Sequence, residues 1–279
     1  MALDDLQLSD SAAAALALRY GTEHPTGLRW NPTIASLLSH HSVRAYLPDA
    51  LPEGTVETLI AAAQSAASSS NLQLWSVVAV NDAAKRARLA ELAGGQKHIS
   101  EAPTILLFVA DLARANLIAS DAAAPAKGYE FLESFAVAAI DAALAAQNAV
   151  IAAESLGLGT VYIGALRNKP EDVAAVAGLP PHAAVVFGLV VGHPDPARAA
   201  SVKPRLPQEV VLHHETYALD AQRAPIARYD ETARAFQTAN GQDPVGWRAL
   251  ILARGRDAAA LHGRDRLKAA LRALGFALR

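Results

Sequence analysis

The sequence predicts an alanine-rich, helix-heavy protein of the α/β or α+β class. Hydrophobic residue types make up 52% of the 279 residues, and much of this share is alanine, the residue with the highest helix propensity. Helical patterns also alternate with short apolar runs bounded by polar residues or proline, as buried strands usually are. A chain of this length can form one large domain or two small ones.

Four helical patterns precede residue 160. They cover residues 5–19, a segment that begins near Pro52, residues 83–95 and residues 129–156. In the second, apolar residues at positions i, i+3, i+4 and i+7 predict a single buried face. The fourth is long and carries few charges, so we expect it to be buried on most sides.

Four apolar runs predict the strands of a sheet. They are residues 74–80, 103–110, 156–164 and 183–192, of which the third begins as a glycine-containing turn. The proline-rich stretch that follows, residues 193–207, is too long for a routine turn. From about residue 215 the chain is more polar and predicted to be helical.

The composition excludes several classes of function. Lys and Arg number 25 against 27 Asp and Glu, so the chain lacks the overall field that attracts nucleic acid or an anionic membrane. It contains no cysteine, which excludes disulfides, thiolate metal sites and thiol chemistry. Sequence motifs of Rossmann dehydrogenases, P-loop NTPases, zincins and α/β-hydrolases are absent. The acidic N-terminus and the lack of a long apolar run favour a soluble cytoplasmic protein.

Two basic segments are candidate anion sites. His40, Ser42 and Arg44 fall at alternate positions, so an extended segment would place them on one side. Lys203 and Arg205 flank a proline, whose fixed backbone angle suits a rigid phosphate site. Taken alone, each segment is more simply a solvated loop or a surface basic pair.

Three further features combine polar or small residues near predicted strands. They are the run Ser68-Ser69-Ser70-Asn71-Leu72-Gln73, the loop Gly94-Gly95-Gln96-Lys97-His98 and the strand end Gly159–Asn168. Each could contact a planar ligand, and each is alternatively only a turn or a helix cap. A metal site is not expected at His213, His214 and Glu215, because adjacent residues rarely converge on one ion.

The order and spacing of these five features resemble the FMN-dependent nitroreductase family, in particular its oxygen-insensitive NADPH nitroreductase and flavin reductase branch. The resemblance is densest in SSSNLQ, GGQKH, AQNAVIAAESLGLGTVYIGALRN, FGLVVG and KPRLP. It divides the chain into an N-terminal helical extension, residues 1–30, and a nitroreductase-like FMN-binding domain, residues 31–279, with a C-terminal helical extension from about residue 215.

The resemblance implies an α+β fold with a central, mainly antiparallel sheet flanked by helices. It also implies an intertwined homodimer, with the long helix near residues 129–156 at the interface and two FMN sites built from both subunits.

The resemblance further implies a set of cofactor-binding residues. His40, Ser42, Lys203 and Arg205 are expected at the FMN phosphate, and Arg44 near N1 and O2 of the ring. His41, which stands where relatives have arginine, is also expected to contact FMN. The ribityl chain and ring are expected to contact Ser68, Ser69, Ser70, Asn71 and Gln73. Gln96 is expected at the N3 and O4 edge of the ring, and one ring face is expected to be covered by Tyr162, Ile163, Gly164 and Ala165. The Gly164 N–H is expected to bond N5.

The implied activity is ping-pong hydride transfer from NADPH or NADH through flavin N5 to nitroaromatic, quinone or similar acceptors, with no catalytic side chain and no metal. Residues 237–244 lack the basic residues with which NADPH-preferring relatives hold the 2′-phosphate, so the choice of nucleotide stays open. The alternatives are a flavin or quinone reductase with incidental nitro activity, a non-catalytic FMN sensor or store, and a helical dimer that binds no flavin.

Overall fold

The structure is a computed structural model that describes residues 10–21, 25 and 27–279. Part of the first predicted helix, residues 5–9, lies outside the described residues. By their internal contacts the residues form two compact units. The smaller unit combines the chain up to His41 with Ala200–Ala260, and the larger unit combines Ser42–Ala199 with Leu261–Arg279.

Twelve α-helices and four strands occur in the described ranges. In chain order they are α1 (Asp10–Tyr20), α2 (Pro32–Ser39), α3 (Thr55–Gln64), β1 (Trp75–Val80), α4 (Ala83–Leu92), α5 (Lys97–Glu101), β2 (Thr104–Asp111), α6 (Ala113–Asp121), α7 (Leu132–Ser155), β3 (Gly159–Ile163), α8 (Pro170–Ala177), β4 (Ala183–Gly192), α9 (Gln208–Val211), α10 (Arg223–Ala239), α11 (Gly246–Gly255) and α12 (Leu267–Ala273).

The larger unit is built on a four-stranded sheet of order β1-β2-β4-β3, in which every neighbouring pair is antiparallel. Every residue of β2 is buried. Successive side chains of a strand point to opposite faces, and β2 accordingly contributes to two separate cores. The predicted α+β class and antiparallel sheet are therefore confirmed.

Helices cover both faces of this sheet. On one face, Leu106 and Phe108 of β2 share a core with α3, α7 and α12. On the other face, Ile105 and Leu107 share a core with α4 and α8. The predicted flanking helices are thus confirmed on both faces.

The long helix α7 is buried along one stripe, and not on most sides as its composition suggests. Its buried stripe is mostly alanine, including Ala138, Ala142 and Ala149, whereas Ile140 is 57% exposed and Leu144 is 45% exposed. By length and composition this helix could cross a membrane. Its alanine stripe packs in the core of the larger unit.

Candidate flavin site

An extended segment that includes Arg44 lies beside β3. The Val43 amide donates to the carbonyl oxygen of Thr160 over 2.9 Å, and Ser42 forms a parallel bridge with Thr160. A Cβ on Gly159 would lie 2.7 Å from Val43 Cγ2, so glycine allows this close approach. Val43 is buried and Arg44 is exposed. The predicted alternation places the Arg44 guanidinium in solvent at the β3 edge.

The glycine-rich loop after α4 lies within electrostatic range of Arg44. Gly94 and Gly95 have positive φ angles of 83° and 79°, which favour glycine. Gln96 donates from Nε2 to the Ala93 carbonyl oxygen over 2.9 Å. Burial, followed by the charge of Arg44, lowers the pKa of the His98 imidazole in α5, which follows this loop directly. The structure therefore brings the loop of Gln96 together with Arg44.

This environment of His98 predicts a loss of stability at low pH. The imidazole takes up a proton more readily in the unfolded chain, so we expect the free energy of unfolding to fall as pH drops below the ordinary pKa of 6.5. Urea unfolding at several pH values from about 5 to 7.5 measures the free energy of unfolding as a function of pH. His98→Asn should reduce the fall, and His214→Asn, at an exposed position, should leave it unchanged. Equal pH profiles for His98→Asn and the parent would contradict the prediction.

The polar run before β1 adopts an unusual backbone conformation. Ser70, Asn71 and Gln73 have φ angles of 48°, 55° and 52°, in the left-handed region that costs free energy for residues other than glycine. A conformation of this kind persists only where surrounding contacts hold it.

A buried carboxylate supplies the first of those contacts. Asp141 of α7 is 2% exposed. It accepts from Ser68 Oγ over 2.6 Å and from the Ser69 amide over 3.1 Å. Ser68 Oγ in turn accepts from the Gln73 amide over 2.8 Å. The carboxylate thus fixes the start of the run, and Ser68 joins the start to its end.

Arg114 of α6 holds the other end of the run. Its Nη1 donates to the Gln73 carbonyl oxygen over 2.9 Å, and its Nη2 donates to Ser76 Oγ over 2.7 Å. Nη2 also lies 3.3 Å from the Asp111 carboxylate. Together, Asp141 and Arg114 present the polar residues Ser69, Ser70 and Asn71 as an exposed, fixed loop.

The end of β3 presents an aromatic side chain followed by small residues. Tyr162 is 38% exposed, and its ring packs edge-on against Phe187 with centroids 5.2 Å apart. Ile163 is buried, and Gly164 and Ala165 are half-buried in a short 3-10 turn. A Cβ on Gly164 would lie 3.3 Å from Arg167 Nη2.

The basic segment of the smaller unit is anchored by its proline. Pro204 is buried, whereas Lys203 and Arg205 are exposed on either side of it. The Tyr229 hydroxyl donates to the Pro204 carbonyl oxygen over 3.0 Å. Lys203 and Arg205 are therefore exposed on either side of an anchored proline.

The two histidines also belong to the smaller unit. His40 is half-buried directly after α2, and its amide donates to Leu37 over 3.4 Å. His41 Nδ1 lies 3.0 Å from the Ser39 carbonyl oxygen, a contact in which Nδ1 carries the proton.

Within the larger unit the candidate residues form two groups. Ser42, Arg44, the Gln96 loop and the residues around Tyr162 gather near β3. The loop of Ser69 and Ser70 precedes β1, at the opposite edge of the sheet. Three inter-strand steps separate the edges, a distance of about 14 Å. The structure of one chain thus does not bring these two groups together.

Comparison with known proteins identifies the family. Residues 37–193 match the nitroreductase family model, and residues 203–279 match the model of the nitroreductase family, C-terminal domain. The chain belongs to the nitroreductase family. The predicted membership is thereby confirmed.

Relatives of this nitroreductase include named flavin enzymes. An FMN reductase [NAD(P)H] of Bacillus subtilis is 40% identical over 79% of this chain and 90% of its own length. An oxygen-insensitive NADPH nitroreductase of Salmonella typhimurium is 40% identical over 76% and 85%. These relatives support the branch that the sequence motifs indicate.

Solved structures of the nitroreductase family share the fold. The NADPH:FMN oxidoreductase from Vibrio harveyi, complexed with NAD⁺, has a TM-score of 0.76 and 35% identity, covering 89% of this chain and 100% of that one. The hypothetical oxidoreductase YcnD from Bacillus subtilis has a TM-score of 0.84 and 37% identity, covering 90% and 100%.

Three residues of this nitroreductase escaped the sequence analysis although they support the candidate loops. Asp141 is a lone carboxylate in an apolar helical pattern, which is a recognisable signal because buried charges need partners. Arg114 and Arg19 gave no signal, since their carbonyl partners are distant in sequence and carry no side-chain pattern.

Proposed function

We propose that this nitroreductase is an FMN-dependent NAD(P)H oxidoreductase that reduces small acceptors such as nitroaromatics, quinones or free flavin. The observation that carries the proposal is the match, over most of both chains, to relatives named FMN reductase and NADPH nitroreductase. When bound, FMN supplies two-electron redox chemistry, which a chain without cysteine requires from a cofactor.

The described side chains fit the chemistry of an anionic flavin. Arg44 is exposed and forms no ion pair with a carboxylate among the described residues. A cation stabilises negative charge that develops beside it. Lys203 and Arg205 offer charge-assisted donors for a phosphate. These exposed cations support contacts to the two charged parts of the cofactor.

We assign the cofactor contacts accordingly. His40, His41, Ser42, Lys203 and Arg205 would bind the phosphate end, and Arg44 the N1 and O2 edge of the ring. Gln96 would bind the N3 and O4 edge, Ser68, Ser69, Ser70, Asn71 and Gln73 would contact ribityl and ring, and Tyr162, Ile163, Gly164 and Ala165 would cover one ring face. We assign no catalytic acid, because water reaches the exposed residues around Arg44.

A homodimer is part of the proposal. The exposed apolar side chains of α7, Ile140 and Leu144, form a surface of the kind that subunits bury against each other. The loop of Ser69 and Ser70 lies at the opposite sheet edge from Tyr162. A second subunit that contributes this loop would complete the set of ring contacts, so we propose two sites per dimer.

The function is tested on purified protein by its visible absorption spectrum, followed by NADH and NADPH in separate anaerobic cuvettes. Flavin bands that bleach, and turnover with menadione or nitrofurazone, are expected. A yellow protein that neither nucleotide bleaches would instead be an FMN sensor or store. A protein that stays colourless with added FMN would overturn the proposal.

We propose a cytoplasmic location, which cell fractionation tests.

Replacement of Arg44 tests the role assigned to its charge. Arg44→Ala should slow flavin reduction by NAD(P)H about 10- to 100-fold, the effect of losing one charged contact of about 1.5–3 kcal/mol. FMN affinity should change less, because the phosphate contacts remain. Anaerobic stopped-flow absorbance measures the rate. Arg44→Lys keeps the positive charge and should retain more of the parent's rate of flavin reduction. An unchanged rate in Arg44→Ala would refute the assignment.

A further inference from the structure

One buried arginine joins the two basic segments of the smaller unit. Arg19 of α1 is 4% exposed. Its Nη2 donates to the carbonyl oxygens of Leu38 and His40, and its Nη1 donates to that of Lys203, each over 2.7 Å. A guanidinium carries five donors in a rigid plane, which suits it to hold several carbonyl groups at fixed positions.

The backbone of Arg19 adds a further link. The Arg205 amide donates to the Arg19 carbonyl oxygen over 2.8 Å. This carbonyl lies in the last turn of α1, where helix carbonyls lack partners within the helix. Arg19 therefore fixes the backbone at three of the residues assigned to the FMN phosphate, His40, Lys203 and Arg205.

Arg19 lies outside the residues that the family models match. Helix α1 ends at Tyr20, whereas the family model begins at residue 37. The contacts thus connect a segment outside the family match to segments inside it.

We propose that Arg19 is a positioning residue for the FMN phosphate, and that the N-terminal extension serves to supply it. This inference rests on the proposed function. Arg19 acts through the backbone of the phosphate-binding segments and does not touch the cofactor. Its loss should therefore affect ligands that carry the phosphate and spare those that lack it.

The test compares FMN with riboflavin, which has the same ring and no phosphate. The full-length chain, freed of flavin, is titrated with each by flavin fluorescence. Arg19→Met should raise the Kd for FMN about tenfold or more, equivalent to about 1.4 kcal/mol per factor of ten. The Kd for riboflavin should change less than about twofold. Leu18→Ala, at an exposed position of the same helix, should change neither.

Two further variants separate positioning from general stability. Arg19→Lys keeps the charge without the planar fork, so we expect its FMN affinity to lie between those of the parent and Arg19→Met. If Arg19→Met does not fold, Arg19→Lys takes its place in the comparison of FMN with riboflavin. A double-mutant cycle with Lys203→Ala should show coupling, because both variants disturb one phosphate site.

The outcomes distinguish this inference from the function on which it rests. A parent protein that binds FMN no better than riboflavin would overturn the phosphate assignment itself. A parent that prefers FMN, with the same preference retained in Arg19→Met and Arg19→Lys, would overturn only the role of Arg19. A selective loss of FMN binding would support both.

Discussion

The double variant Lys203→Ala with Arg205→Ala should lose most of its affinity for FMN. Both cations are exposed beside the buried Pro204, so truncation removes two charged donors with little effect on the core. Each charge-assisted hydrogen bond contributes about 1.5–3 kcal/mol. The Kd for FMN should therefore rise about a hundredfold or more. Titration of the flavin-free chain by fluorescence measures it.

A matched double variant controls for the loss of two positive charges. Lys268 and Arg272 are exposed cations of the larger unit, and Lys268→Ala with Arg272→Ala changes the net charge equally. This control should bind FMN like the parent. The phosphate assignment fails if the Lys203 and Arg205 variant also binds FMN like the parent. Equal losses in both double variants would indicate a general electrostatic effect, which raised salt would diminish in the parent as well.

Local pattern was sufficient to predict the strands of the sheet. Residues 74–80 and 183–192 were predicted as strands and correspond to β1 and β4. Their runs of Val, Leu and Phe suit a strand buried on both faces. The order β1-β2-β4-β3 could not be read from these runs, because strand pairing depends on contacts between residues far apart in sequence.

Five helices were not predicted: α2, α5, α6, α8 and α9. Helices α2 and α6 bury few side chains, so they lack the apolar periodicity on which the other predictions depend. In two of the unpredicted helices, α2 and α8, the residues at the helix ends carry recognisable signals. Asn31 caps α2 by accepting from the Ile34 amide, and α8 begins at Pro170 and ends before Gly178, whose φ is 66°. These are the residue types that favour helix starts and stops.

The candidate residues near the flavin were predictable only in part. Their identities follow from the family motifs, whereas the contacts that hold them come from residues outside those motifs. The run from Ser68 to Gln73 was expected as a polar loop, yet its left-handed backbone depends on Asp141 and Arg114. The sequence gives a signal for Asp141 as a lone carboxylate in an apolar helix, but none for Arg114, because a backbone carbonyl accepts regardless of residue type.

Asp141→Ala should be the most destabilising single substitution proposed for this protein. It leaves Ser68 Oγ and the Ser69 amide without the acceptor that they contact at 2.6 and 3.1 Å. Each hydrogen bond to a charged group contributes about 1.5–3 kcal/mol. Because both donors are only partly buried and water can replace some of this, we expect the free energy of unfolding to fall by about 2–4 kcal/mol. Urea unfolding followed by circular dichroism measures the change.

The same substitution should release the loop that Asp141 holds. Amide hydrogen exchange of residues 68–73 should accelerate, because the strained φ angles at Ser70 and Asn71 persist only while neighbouring contacts enforce them. Asp141→Asn retains one carbonyl acceptor and should lie between Asp141→Ala and the parent. Glu133→Gln removes a carboxylate from an exposed position of the same helix and should alter neither stability nor exchange. If Asp141→Ala unfolds like the parent and residues 68–73 stay protected, contacts other than this carboxylate hold the loop, and Arg114 is the next candidate for its support.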